Sequence, residues 1–205
     1  MIELHSSNTG NGQRAALALE ECGLPYKLTK YNLQANEHKS PEFLKLNPLG
    51  AIPAIVDRDA PGGKPAVLTQ SGAIALYCAE KTGKLLPKDP AKRAEAYRWF
   101  MHATTDVQPA SSAIFFVGSV LPDKPQSAVE GFEKRMLNHL RECNRRLGEA
   151  EYLAGELSIA DIALYPVVNQ RKALIEKAGD MSNLLKWYER MAARPAIQKA
   201  MKSLA

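Results

Sequence analysis

The spacing of apolar residues changes character along the chain. In residues 1–83, short apolar runs that suit strands alternate with segments that suit helices, and Gly or Pro separates many of them. The pattern predicts, in chain order, a strand at 2–5, a helix over 15–21, a strand at 26–31, a short helix at 40–44, strands at 52–57 and 66–69, and a helix over 71–82. This order, βαβαββα, is that of a small α/β domain.

Turn residues fix the connections between these elements. The runs 52–57 and 66–69 flank Asp59-Ala60-Pro61-Gly62-Gly63, which predicts a hairpin. The stretch from Ser6 to Gly12 is polar and rich in Asn and Gly, so we expect a loop there. The helix that follows it should end at Gly23.

The second part of the chain has a helical pattern throughout. Residues 84–90 are polar and contain two prolines, which is typical of a linker. Beyond it we find no strand pattern, and apolar residues recur at spacings of three and four, as in Val129, Phe132, Met136, Leu140, Cys143 and Leu147. The sequence therefore predicts an α/β domain at 1–83, a linker at 84–90 and an all-helical domain at 91–205. We expect Phe115 and Phe116 to lie in the helical core; the alternative is that they form a shelf for a substrate.

One helix start in this part is strongly signalled. In Leu157-Ser158-Ile159-Ala160-Asp161, Ser158 is placed as the N-cap and Asp161 at the third helical position. Asp161 can accept from the Ser158 N–H, as Glu does in the usual capping box. We expect Asp161 to stabilise the fold and to take no part in chemistry.

Composition narrows the function classes. The chain has 205 residues, 45% of them hydrophobic, and no apolar run near the ~20 residues of a membrane span. The start has no signal-peptide pattern, and three scattered cysteines and four histidines favour neither a disulfide scaffold nor a metal site. We expect a cytoplasmic protein that binds neither membrane nor metal.

The charge is modestly basic. The net charge is +5, and the basic residues are spread along amphipathic segments without a nucleic-acid-binding motif. We expect no nucleic-acid partner. A small anionic ligand suits this charge.

Two short motifs carry candidate binding chemistry. If the Ile52–Pro53 bond is cis, the Ile52 N–H and C=O are free to pair with a peptide ligand; the alternative is an ordinary trans proline that starts a strand. Gln70-Ser71 stands where a strand passes into a helix, and helix N-termini bind carboxylates. The alternative is that Ser71 is only an N-cap.

Together these motifs, on a βαβαββα unit followed by a helical domain with Ser158-Ile-Ala-Asp161, resemble the glutathione transferase superfamily over essentially the whole chain. The resemblance implies a thioredoxin-like N-terminal domain, a helical C-terminal domain and a homodimer. It matches Pro53 to the family's cis-proline and Gln70-Ser71 to its γ-glutamyl-binding pair.

The loop Asn8-Thr9-Gly10-Asn11-Gly12 is most similar to the bacterial nu class and the related prion-type nitrogen regulators, which carry Thr-x-Asn-Gly here. The resemblance implies that Thr9 Oγ and the Asn11 amide contact the glutathione sulfur. His38 stands where the class has a Gln that contacts the glycyl end, and Gln70 stands where it has Glu. Asn and Gly are also common turn residues, and Ser6 or Ser7 could be the thiol activator instead.

The nu class characteristically binds two glutathiones, or the disulfide, and reduces small disulfides without a protein cysteine. The resemblance therefore implies glutathione-dependent disulfide reduction, with conjugation to electrophiles as a second activity. The alternative is a non-enzymatic regulator or binding module on the same fold.

Overall fold

A computed structural model describes all 205 residues of the chain. The chain divides into two compact units. The first comprises Met1–Leu86 together with Ala192–Ala205, and the second comprises Pro87–Met191.

The first unit is built on a four-stranded mixed sheet. Its elements are β1 (Ile2–Ser6), α1 (Gly10–Cys22), β2 (Tyr26–Lys30), α2 (Pro41–Leu46), β3 (Ala54–Asp57), β4 (Ala66–Thr69) and α3 (Ser71–Thr82), with a short 3-10 helix at Glu37–Lys39. The strand order is β2-β1-β3-β4; β1 pairs parallel with β2, and the other two pairs are antiparallel. The predicted βαβαββα order is confirmed.

Helix α1 begins earlier than the sequence pattern suggested, so the expected loop over 6–12 was too long. The Thr9 hydroxyl accepts from the Gly12 N–H at 3.2 Å and caps the helix. A Cβ on Gly12 would collide with the Ser7 carbonyl and lie 2.6 Å from Ser6 Oγ. Gly12 therefore lets the first turn of α1 press against the end of β1. The helix ends at Gly23, which has a left-handed φ of 70°.

Aliphatic side chains on the sheet and on α1 and α3 form the core of the first unit. Leu4, Leu17, Ile55 and Ile74 have no exposed surface. Burial of one such side chain contributes about 1.5–3 kcal/mol. This core fixes the strand ends and helix starts that carry the candidate site.

The last helix of the chain, α9 (Pro195–Leu204), belongs to the first unit. The helical pattern of residues 195–204 alone predicts a place in the helical domain. Ile197, Ala200 and Leu204 of this helix are buried, and Arg194 donates from Nε and Nη2 to the Glu21 carboxylate of α1 at 2.6 and 2.8 Å. A helical pattern cannot reveal on which unit a helix packs.

The second unit is entirely helical. It contains α4 (Pro90–Met101), α5 (Gln108–Phe115), α6 (Gln126–Arg146), α7 (Ile159–Ala178) and α8 (Ser182–Ala192), with π-helical turns at His102–Val107 and Phe116–Val120. The first π-helical turn ends two residues before Pro109, which has no N–H to donate to a regular helical turn.

The expectation that Phe115 and Phe116 lie in the core is wrong. They are 61% and 52% exposed, whereas the flanking Ile114 and Val117 are buried. Ala110, Ile114 and Val117 recur at spacings of four and three and form the buried face of this segment, and Phe115 and Phe116 lie outside that face. No helix of the chain is both long enough and apolar enough for a membrane span.

The capping box at the start of α7 is confirmed. Asp161 Oδ2 accepts from the Ser158 N–H at 3.0 Å, and Ser158 Oγ caps the helix. Asp161 has no exposed surface and also accepts from the Trp187 indole at 2.9 Å. It therefore ties the start of α7 to α8.

Candidate functional site

The first unit contains a small open cleft. It lies where the end of the segment before β3 meets the first turns of α1 and α3. Seven residues line it: Asn11, Asn47, Ala51, Ile52, Pro53, Gln70 and Ser71. None of these side chains carries a charge.

The turn before β3 forms one wall of the cleft. The Ile52–Pro53 peptide bond is cis. Asn47 is 4% exposed and braces this turn, because its Nδ2 donates to the Ala51 carbonyl at 2.5 Å and its Oδ1 accepts from the Leu49 N–H at 3.2 Å. The Ile52 N–H and C=O make no hydrogen bond within the chain. This short piece of backbone can therefore pair with an extended peptide.

The N-terminus of α3 forms the second wall. Gln70 has φ 67° and ψ 112°, a conformation that residues other than Gly rarely adopt. Ser71 follows as the first residue of the helix, is 6% exposed, and has an N–H without a backbone partner. The free N–H groups and the helix dipole make this a place where a carboxylate binds well.

The first turn of α1 forms the third wall. Asn11 is exposed, and its side-chain hydrogen bonds all go to Oδ1: from Arg14 Nη1 at 2.9 Å and from Ser71 Oγ at 3.3 Å. The Asn11 Nδ2 donor is thus available to a ligand. Thr9 does not line the cleft. Its oxygen accepts from Gly12, but a hydroxyl that accepts still has its own hydrogen to donate.

His38 lies in the 3-10 helix before α2, and it does not line the cleft either. Its Nδ1 is buried and has no hydrogen-bond partner. A buried polar atom without a partner is rare in folded proteins. The neighbouring Lys39 donates to the Leu49 carbonyl at 3.1 Å, which places this helix beside the turn that carries Asn47.

The structure thus brings together five of the seven residues that the sequence suggested: Asn11, Ile52, Pro53, Gln70 and Ser71. Asn47 and Arg14 were not predicted as site residues from the sequence. Asn47 is the first residue of Asn-Pro-Leu-Gly, which predicts a turn. That pattern does not show that the Asn47 side chain bonds the backbone before Pro53. Arg14 directly precedes the apolar run 15–19 of α1. A charged residue next to such a run is a candidate for burial with a hydrogen-bonding partner. Ser6, one of the alternative thiol activators, has no exposed surface.

Burial makes the protein's own thiols poor nucleophiles. Cys22, Cys78 and Cys143 are all buried and unpaired. Burial raises the pKa of Cys78 and of Cys143 to about 12, and it also raises the pKa of Cys22. None of the three lines the cleft. No group of three His, Cys, Asp or Glu side chains is arranged to hold a metal ion.

Comparison with known proteins identifies the family. Residues 11–81 match the family model described as glutathione S-transferase, N-terminal domain, and residues 113–203 match glutathione S-transferase, C-terminal domain. The disulfide-bond oxidoreductase YfcG of Escherichia coli is 36% identical over 203 residues, which cover 98% of this chain and 94% of the relative. The chain belongs to the glutathione S-transferase family. The resemblance drawn from the sequence is confirmed, and so are the thioredoxin-like N-terminal and helical C-terminal parts of its fold.

Solved structures of glutathione transferases superpose closely on this family member. A glutathione transferase from Pseudomonas putida, solved with one glutathione disulfide bound per subunit, has a TM-score of 0.91 and 31% identity, and the match covers 98% of this chain and 90% of that one. One from Burkholderia graminis, with two glutathione molecules bound per subunit, has a TM-score of 0.91 and 33% identity, covering 98% and 88%. Both chains are similar to this one from end to end.

Proposed function

We propose that the protein is a glutathione-dependent disulfide oxidoreductase that also conjugates glutathione to electrophiles. The observation that carries the proposal is the cleft of the first unit, where an unpaired backbone segment at Ile52, the N-terminus of α3 at Ser71 and the free amide of Asn11 lie on three walls. Relatives named as disulfide-bond oxidoreductases and family structures that hold glutathione or its disulfide support it.

In this proposal each wall of the cleft would bind a different part of glutathione. The Ile52 N–H and C=O would pair with the central cysteinyl residue of the tripeptide. Ser71 and the start of α3 would hold the γ-glutamyl carboxylate, and Gln70 would hydrogen-bond the same end. His38 would contact the glycyl end from the 3-10 helix, which lies beside the turn that carries Asn47.

Asn11 Nδ2 and the Thr9 hydroxyl would donate to the sulfur. A free thiol has a pKa of about 8.5, and donors that favour the thiolate lower it. The resulting thiolate attacks one sulfur of a small disulfide, the S–S bond breaks, and the leaving thiolate takes up a proton. A second glutathione thiolate then attacks the glutathione sulfur of the mixed disulfide. Two thiols leave, and two glutathiones become one glutathione disulfide.

The test is reduction of a small disulfide by purified protein and glutathione. We expect the double variant Thr9→Ala, Asn11→Ala to lose about 100-fold in kcat/KM, since removal of donors to a developing anion costs 10²–10³-fold. Thr9→Ala also removes the N-cap of α1, which costs ~1 kcal/mol of stability. Circular dichroism checks that the double variant is still folded.

A matched control carries the same residue changes away from the cleft, at the exposed Thr29 of β2 and the exposed Asn138 of α6. This control should keep wild-type activity. Equal activity in the Thr9, Asn11 variant and the wild type would remove these two residues from the chemistry.

The proposal includes a cytoplasmic homodimer, as expected from the resemblance. Phe115, Phe116 and Val120 of the second unit are more than half exposed, and exposed apolar side chains of this size suit a protein interface. Conjugation of electrophiles would give the protein a role in detoxification.

A further inference from the structure

A buried arginine lies directly behind the proposed site. Arg14 is 2% exposed, and its Nη1 donates to Asn11 Oδ1 at 2.9 Å and to Ser71 Oγ at 2.7 Å. A buried charge costs several kcal/mol unless hydrogen bonds or an opposite charge compensate it. These hydrogen bonds compensate the buried charge. They also connect Asn11, which in the proposed function contacts the sulfur, to Ser71, which contacts the γ-glutamyl carboxylate.

The contact with Arg14 decides how the Asn11 amide is oriented. A guanidinium has only donors, so the amide must turn its oxygen toward Arg14. The Asn11 Nδ2 then points away from the guanidinium and is available as a donor in the cleft. A positive charge on the oxygen side also polarises the amide, which makes Nδ2 a stronger donor.

Arg14 constrains Ser71 in the same way. The Ser71 oxygen accepts from Arg14, so its hydroxyl hydrogen must point elsewhere. This hydrogen is donated to Asn11 Oδ1 at 3.3 Å. It can turn to a carboxylate when one binds at the start of α3.

We propose that Arg14 is a positioning residue that orients Asn11 toward the glutathione sulfur and Ser71 toward the γ-glutamyl carboxylate, and that its charge strengthens both donors. This inference rests on the proposed function and deepens it. The residues that line the cleft are uncharged. The guanidinium of Arg14 places a positive charge next to two of them, Asn11 and Ser71.

The charge is present under the conditions of catalysis. Burial lowers the pKa of Arg14 to about 10, which still leaves the guanidinium protonated at neutral pH. A nearby positive charge favours the thiolate over the thiol.

The experiment measures the thiol pKa of bound glutathione in the wild type, Arg14→Gln and Arg14→Lys. The pKa is taken from the pH dependence of kcat/KM for disulfide reduction and, separately, from the ultraviolet absorbance of the thiolate at saturating glutathione. We expect Arg14→Gln to raise the thiol pKa by about one unit, so that kcat/KM below that pKa falls about tenfold. KM for glutathione should rise as well, because Ser71 loses its orienting contact.

Arg14→Lys separates charge from geometry. It keeps a positive charge but not the planar fork of the guanidinium. We expect a thiol pKa close to that of the wild type, together with a KM raised several-fold.

Arg171→Gln is the matched control. Arg171 of α7 is half-buried, donates to Ser111 Oγ at 3.0 Å, and has a pKa that burial lowers. Like Arg14, it is a guanidinium that donates to a serine hydroxyl, but it lies in the second unit. The control should leave the thiol pKa and the KM for glutathione unchanged.

The outcomes separate this inference from the function on which it rests. If the wild type neither binds glutathione nor reduces disulfides, the proposed function fails. If the wild type is active and Arg14→Gln has the same thiol pKa and KM, the function stands and the role of Arg14 is refuted. If Arg14→Gln does not fold, Arg14→Lys decides: a several-fold rise in KM supports the positioning role, and a wild-type KM overturns it.

Discussion

Loss of the Asp161 side chain should strongly destabilise the second unit. Its carboxylate has no exposed surface. Oδ1 accepts from the Leu153 N–H at 3.2 Å and from the Trp187 indole at 2.9 Å. Oδ2 accepts from the N–H and the hydroxyl of Ser158 at 3.0 and 3.1 Å. One side chain therefore joins the loop before α7, the start of α7, and α8.

Asp161→Ala leaves three buried N–H groups without an acceptor. Each such group costs about 1–3 kcal/mol, which gives about 6 kcal/mol for the three. The variant also avoids the cost of burying a charge. Burial raises the pKa of Asp161 from 3.8 to about 6, and a shift of about two units corresponds to ~3 kcal/mol. The net loss in the free energy of unfolding is about 3–4 kcal/mol at neutral pH.

Urea denaturation measures this loss. Both tryptophans, Trp99 and Trp187, lie in the second unit, so their fluorescence reports on its unfolding. The midpoint should fall by about 2 M, given a urea slope of about 1–3 kcal/mol/M. Asp180→Ala is the control, because Asp180 is 48% exposed and pairs with Arg141 at the surface. Such pairs contribute less than about 1 kcal/mol.

The pH dependence follows from the same carboxyl. Its pKa is raised on folding, so between about pH 4 and pH 6 the folded state holds a proton that the unfolded state has released. Its contribution to stability is therefore largest below about pH 4, falls as the pH rises to about 6, and is constant above. Asp161→Ala should lack this slope. A midpoint within 0.3 M (about 0.5 kcal/mol) of the Asp180→Ala control would refute the reasoning.

Two further predictions concern the cleft and the thiols. All three cysteines are buried and have raised thiol pKa values. Native protein treated with iodoacetamide should therefore keep its disulfide reductase activity and show no alkylated cysteine by mass spectrometry. Loss of activity together with alkylation would implicate a protein thiol. Ser71→Ala should weaken glutathione binding about 10-fold or more, as one charge-assisted hydrogen bond contributes about 1.5–3 kcal/mol. Calorimetry measures this affinity, with the exposed Ser112→Ala of α5 as control, and equal affinities in the two variants would contradict the role of Ser71.

Local signals explain why the order of elements could be predicted. Alternation of apolar residues, the glycines after α1 and α3, and the Pro-Gly-Gly turn between β3 and β4 are each set by neighbours in sequence. The capping box at Ser158 and Asp161 is also a local motif. These features need no knowledge of the rest of the fold.

Features that depend on distant contacts could not be predicted. Helix α9 packs on the first unit, although its pattern is that of any amphipathic helix. Phe115 and Phe116 are exposed because the buried face of their helical segment runs through Ala110, Ile114 and Val117. Arg14 contacts Ser71 from 57 positions away, so its place behind the cleft is visible only once α1 and α3 pack together.

The proposed function requires that the cleft of the first unit binds glutathione. Titration calorimetry of the purified protein with glutathione, and separately with glutathione disulfide, measures this binding. We expect saturable binding of at least one of the two ligands, with the affinity lowered in Ser71→Ala and unchanged in Ser112→Ala. Absence of binding by both ligands to the folded wild-type protein would contradict the account and favour a regulator or binding module that has kept only the fold.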